Sequence, residues 1–202
     1  MAVPLSVILA LFILFGGTMA WFIATDGRLN PFQTGKFRYA VQAVDVFNKP
    51  ATAPKNGDYV NKRVGAVNTG DFPAFVRLLV HPTILAADGV TLLPASFGNE
   101  VLITDLNTAD WTYGGDGYYY YLHKLNPDKS TTQLGHDLFT QVQIAFGLGA
   151  AYDNATLHIE VKCESSDIKK WNYREGWWKA TTAPTAAPLN AIDATLAAIA
   201  TN

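Results

Sequence analysis

The chain has a single cysteine, Cys163, among its 202 residues. It therefore closes no internal disulfide, and stability in an oxidising environment must come from packing and hydrogen bonds. Basic residues are not in excess either. The formal net charge is -2 and no dense Lys/Arg cluster occurs, so the electrostatic footprint of a nucleic-acid binder is missing, and nucleic acid is not an expected partner. Motifs of common chemistries are absent as well: there is no His-Glu-x-x-His, no Gly-x-Ser-x-Gly elbow, and no Walker or Gly-x-Gly-x-x-Gly phosphate loop. The four histidines, His81, His123, His136 and His158, are scattered along the chain, and each reads as a surface or satisfied strand residue. Cys163 falls on an apolar phase, where a thiol behaves as a small hydrophobe rather than a nucleophile. No catalytic residue, cofactor or metal is expected.

One long apolar run is present. Val3 to Phe15 carries no charge, breaks at Gly16-Gly17 and offers small residues at Thr18 and Ala20, the positions a signal peptidase reads. Residues 1–20 are read as a signal peptide cleaved after Ala20. As a helix the run spans about 20 Å, short of the roughly 30 Å hydrocarbon core. Trp21, Phe22 and Ile23 extend it, so an uncleaved leader acting as a membrane anchor is the alternative. No Lys or Arg precedes the run, where a signal peptide carries its positive end, which points to a start upstream of Met1. Without the leader about 180 residues remain, enough for one domain with a substantial core.

Several segments alternate with the period of a half-buried strand. In Leu157 to Cys163 the residues Leu157, Ile159, Val161 and Cys163 share one face, expected to be core, and His158, Glu160 and Lys162 share the other. Phe37, Tyr39, Val41 and Ala43 alternate with Lys36, Arg38 and Gln42; Leu138, Val142, Ile144 and Phe146 alternate with Gln141 and Gln143. Tyr59 to Val67 and Phe75 to Val80 add two strands, linked by Asn68-Thr69-Gly70-Asp71-Phe72-Pro73, a run of turn formers that either closes a pair or carries the chain between two sheets. Many short strands with no helix-period run between them predict an all-β antiparallel sandwich over residues 38–180. Asn48 to Asp58, with Pro50, Pro54 and Gly57, reads as an exposed loop. Residues 181–202 read as an Ala/Thr/Pro-rich linker closing in a short amphipathic helix through Leu189, Ile192, Leu196 and Ile199.

Two smaller signals remain. Asp105, Asn107 and Asp110, with Asp116 nearby, are spaced like calcium-loop oxygens but lack the Gly and Glu of an EF-hand, which favours Asx turns. Asn154-Ala155-Thr156 fits the N-glycosylation pattern just before a strand.

The motif set of the chain resembles the TasA/camelysin-like family of exported matrix proteins. The matching features are the Gly-Gly-Thr-x-Ala leader end (Gly16 to Ala20), Trp21-Phe22 with Thr25-Asp26, Phe32-Gln33-Thr34-Gly35-Lys36, and Asn68-Thr69-Gly70-Asp71-Phe72-Pro73-Ala74-Phe75-Val76-Arg77. Trp111, Asp116-Gly117-Tyr118-Tyr119-Tyr120-Tyr121 and Ser130-Thr131-Thr132-Gln133-Leu134 follow in order. The resemblance covers most of residues 16–165. It implies a jelly-roll-like sandwich that is secreted and polymerises head to tail into a biofilm-matrix fibre or bundling pilus. In such fibres the mature N-terminal segment, here residues 21–37 with Trp21, Phe22, Ile23, Leu29, Phe32 and Phe37 as anchors, adds as a strand to the next subunit. Alternatively, the same residues pack into their own domain. The resemblance also gives Asn68, Gly70, Pro73, Arg77, Asp116 and Gly117 as structural motif residues. Camelysin-like members carry a metallopeptidase label, which no zinc motif supports here.

Adjacent tyrosines in a strand face opposite ways. If Tyr118 and Tyr120 point inward, Tyr119, Tyr121 and His123 form an outward stripe suited to a subunit interface or a glycan; the opposite phase is equally allowed, as is cover on both faces. Trp171, Tyr173, Trp177 and Trp178 either cap the core or make a contact surface, Trp177 and Trp178 being candidate interface aromatics. Arg77 shares a phase with Phe75 and Leu79 and, if buried, requires a carboxylate or several carbonyls. The leading expectation is a homopolymeric extracellular subunit, with the cell surface or other matrix components as further partners. A secreted glycan- or surface-binding module is the runner-up.

Overall fold

The computed structural model describes residues 40–47 and 57–202. The leader, the donor segment, Phe37, Tyr39 and nearly all of the Asn48–Asp58 loop lie outside these residues. Two antiparallel sheets face each other across one core, as the alternating segments predict. The first has the order β1 (Val41–Phe47), β2 (Tyr59–Asn68), β9 (Phe139–Ile144) and β5 (Val101–Ile103), with β8 (Lys129–Ser130) also on β2. The second has β10 (Thr156–Asp167), β3 (Ala74–Leu85), β7 (Tyr118–Tyr121) and β6 (Trp111–Tyr113), with β4 (Leu92–Leu93) also on β3. The turn-forming link after Asn68 carries the chain from one sheet to the other.

That crossing is held by Asn68, which is buried. Its amide Nδ2 donates to the carbonyls of Phe72 (2.7 Å) and Leu125 (2.9 Å), and its Oδ1 accepts from the Gly70 amide at 2.9 Å. An Asn here bonds three backbone groups of the crossing, one of them the Leu125 carbonyl that also accepts from the Ala74 amide at 3.0 Å.

Period-2 packing fills the space between the sheets. Val60, Val64 and Ala66 of β2 and Val76, Leu78, Val80 and Ile84 of β3 meet Val101, Trp111, Tyr121, Leu138, Phe139 and Val142. The opposite face of the second sheet is also covered. Phe75 and Tyr120 pack there against Tyr173, Trp177, Ile192 and Leu196. The cover consists of a single π-type turn, Arg174–Trp178, and a C-terminal helix, Leu189–Ile199, where the helical spacing of the tail predicts one. Bidentate bonds from Arg174 Nε and Nη2 to Asp193, both 2.6 Å, clamp turn to helix, and the Tyr173 hydroxyl donates to Asp193 Oδ1 at 2.9 Å. The last residues return to the end of β10, Thr201 donating its amide to Ile168 O at 2.8 Å. Among the described residues no helix is long and apolar enough to cross a membrane.

Candidate functional site

Three places on this scaffold carry more than packing: the free side of β10, the covered face of the second sheet, and one end of the β6–β7 hairpin.

β10 is the longest outer strand, 12 residues, and pairs along its whole length with β3. Leu157, Ile159 and Val161 point to the same side as Ile84, Pro82 and Val80 of β3, their register partners. Yet the β3 residues are buried while Leu157, Ile159 and Val161 are only half-buried. The predicted face is therefore apolar and inward but incompletely covered, and no second strand flanks Leu157–Val161 among the described residues. Across the gap lies β1, the edge of the other sheet, whose Val41 is likewise half-buried against the core while Val46 and Phe47 are exposed. Lys62 of β2 reaches into this side of the sandwich. It pairs with Asp45 of β1 and donates to Ile159 O at 3.4 Å.

On the covered face, strand register alone builds a row. Glu164 of β10 lies opposite Arg77 of β3, and Arg77 opposite Tyr120 of β7. Arg77 is buried, and Glu164 Oε2 accepts from its Nε at 2.9 Å and its Nη2 at 2.6 Å. Its Nη1 donates to the Tyr120 hydroxyl at 3.0 Å, which accepts also from Trp178 Nε1 (2.8 Å) and donates to Asp116 Oδ2 (2.6 Å). Glu164 Oε1 takes Lys162 Nζ at 2.6 Å and the Tyr118 hydroxyl at 2.9 Å. The Arg77 guanidinium stacks 3.8 Å from the centre of the Tyr118 ring, so its charge is met by a carboxylate in plane and a π face above. Burial works against that charge, but the bonds to Glu164 and Tyr120 outweigh it and hold the Arg77 pKa above its ordinary range. Burial likewise opposes ionisation of Glu164, and the bonds from Lys162, Arg77 and Tyr118 reverse the effect, drawing its carboxyl down to about 2. Tyr120 is pushed up to about 12 by burial and by its bond to Asp116. The Asp116-Gly117 turn feeding this row needs glycine: Gly117 has φ +94°.

The outward stripe of Tyr119 and Tyr121 does not form. The hairpin takes the opposite phase: Tyr121 lies in the sandwich core with Tyr119 against it, while Tyr118 and Tyr120 face the C-terminal cover. Trp177 is buried in that cover, Trp178 half-buried through its bond to Tyr120, and Trp171 exposed. Pro73 is half-buried and Gly70 buried in the crossing. Asn154 is exposed at a positive φ of 59°, two residues before β10.

The third place was not legible in the sequence. Asp110 stands one residue before β6, His123 two residues after β7, and His136 ahead of β9, so the base of the hairpin meets the strand of the other sheet. His123 Nε2 is 2.8 Å from Asp110 Oδ1, and His136 Nδ1 is 3.8 Å from the same oxygen. The Tyr121 hydroxyl sits 2.7 Å from His136 Nδ1, and Asn107 Nδ2 donates to Asp110 Oδ2 at 2.8 Å. Partial burial pushes the Asp110 carboxyl up, but its hydrogen bonds with Asn107 and His123 bring it below the ordinary value. The spaced loop oxygens do not converge as a calcium site. Asp105 instead accepts from Thr140 Oγ1 and from the Thr140 and Gln141 amides, and Asn107 Oδ1 caps the Ala109 and Asp110 amides.

Comparisons of the chain with protein-family models, with curated proteins and with solved structures find no match.

Proposed function

We propose that this chain is a structural subunit of an extracellular filament, with a jelly-roll-like sandwich that accepts a strand from a neighbouring copy. The observation that carries the reading is the incompletely covered apolar face of β10. Leu157, Ile159 and Val161 need more apolar cover than β3 and β1 give them. A strand laid beside β10 supplies what no described strand gives this edge: backbone partners for its outward N–H and C=O groups, and side chains over its inward face. The segment with the matching chemistry is residues 21–37, rich in Trp, Phe and Leu anchors. Donated to the next copy rather than folded back, it gives an open head-to-tail chain rather than a closed ring. The cross-linked rows Glu164–Arg77–Tyr120 and Arg174–Asp193 fit such a role, since they stiffen β10 and its cover in a protein with no disulfide.

The test is electron microscopy of the chain starting at Trp21 beside one starting after Phe37. Fibres from the longer chain alone are the expected result. Fibres from both, or stable monomers from both at high concentration, would remove strand donation as the assembly mechanism.

A further inference from the structure

We propose that Asp110, His123 and His136 form a binding site for one divalent transition-metal ion of the zinc class, bridging the two sheets at the base of the β6–β7 hairpin. One donor atom from each residue lies within 4.8 Å of the other two. An ion held at about 2.0–2.2 Å from each ligand in tetrahedral geometry places neighbouring ligands about 3.4 Å apart. The Asp110 Oδ1 separations of 2.8 Å to His123 and 3.8 Å to His136 straddle that spacing, and the two imidazole donors lie within 4.8 Å of each other, so side-chain adjustments of about 1 Å each convert a hydrogen-bonded cluster into a coordination shell.

The surroundings aim the donors. Asn107 occupies Asp110 Oδ2 and leaves Oδ1 turned toward the rings, as an outer partner of a monodentate carboxylate ligand does. The backbone of His136 is fixed from two sides: its amide donates to Thr131 O at 2.7 Å and its carbonyl accepts from Trp111 Nε1 at 2.7 Å. Metal binding through His136 Nδ1 would displace the Tyr121 hydroxyl, which sits 2.7 Å from that nitrogen. His123 is half-exposed, which provides an entry path and an open fourth position.

The ligand set selects the ion. Two imidazoles with one carboxylate suit zinc, copper, nickel or ferrous iron, whereas calcium and magnesium require oxygen donors. The ion would join sheet to sheet in a chain that has no disulfide to do so, and metal affinity would become fold stability.

The experiment uses the full chain without an affinity tag, stripped with chelator, and zinc chloride alone as probe. Calorimetry should show one ion per chain with a dissociation constant of about 1 µM or tighter, and Tm should climb as zinc is added. Replacing both His123 and His136 by Ala should weaken binding at least about 100-fold, and Asp110→Asn, which keeps the side-chain shape, about 10-fold or more. His123→Gln, at an exposed position that leaves the fold intact, should lose binding in the same way. His81 and His158 sit on exposed positions of β3 and β10, and replacing both by Ala should change nothing. No saturable binding up to about 100 µM zinc, or equal affinity with His123 and His136 removed, would overturn the assignment.

Discussion

Glu164→Gln tests the electrostatics of the covered face, because it keeps the shape of the side chain while removing the charge that Arg77 and Lys162 share and turning one of two acceptor oxygens into an NH2 donor. Two independent estimates give the cost at neutral pH. At 1.36 kcal/mol per pKa unit, displacement of the carboxyl from its ordinary 4.5 to about 2 corresponds to about 3 kcal/mol. Breaking a buried pair costs about 3–5 kcal/mol. The Glu164 side chain keeps a quarter of its surface in water (25%), and solvent screening brings both figures to about 2–3 kcal/mol. The sign of the pH dependence follows from the depressed pKa. The contribution is complete above the unfolded value of 4.5, and it is lost as pH falls from about 5 to about 2, through the folded pKa. Urea unfolding of both proteins at pH 7, 5, 4 and 3 should show the gap constant between pH 7 and 5 and shrinking below. A gap that does not change with pH, or is absent at pH 7, would refute the claim that the Glu164 charge holds this row together.

Asp193→Ala should free the C-terminal cover: it strands Arg174 and leaves the Tyr173 hydroxyl only the backbone carbonyl of residue 193, 3.3 Å away, at a cost of about 3 kcal/mol. Hydrogen exchange should then accelerate across Leu189–Ile199, and a protease should cut between 180 and 188, with the sandwich amides unchanged. Gly65→Ala places a methyl against Thr131 Oγ1, the acceptor of the Ala66 amide, and against Asp137. Overpacking of this kind costs about 1–3 kcal/mol, read as a lowered urea midpoint with an unchanged slope.

Much of the sandwich was legible because its strands obey a local rule. The alternation of Leu157 to Cys163 identified β10 and its inward face, and the spacing of Leu189, Ile192, Leu196 and Ile199 identified the terminal helix, since each pattern depends only on residues a few positions apart. The tyrosine run did not yield its phase. Tyr120 and Tyr121 are both fully covered, one by the C-terminal segment and one by the other sheet, so neither face is polar enough to declare itself. Arg77 announced the need for a carboxylate, but Glu164 lies 87 positions away and is chosen by the β3–β10 register. Asp110 stood out only as a spaced loop oxygen, and nothing local joined it to His123 and His136: their meeting depends on the hairpin pairing of Trp111 with Tyr121 and on the chain returning through the other sheet.

Whether β10 accepts a strand is read from hydrogen exchange at the Leu157–Val161 amides, followed by mass spectrometry in dilute monomer and in assembled material. Strand acceptance predicts fast exchange at this edge in the monomer and slow exchange after assembly, with β3 slow in both. Equal protection of β10 in monomer and assembly would show that its neighbour comes from its own chain and would contradict the account.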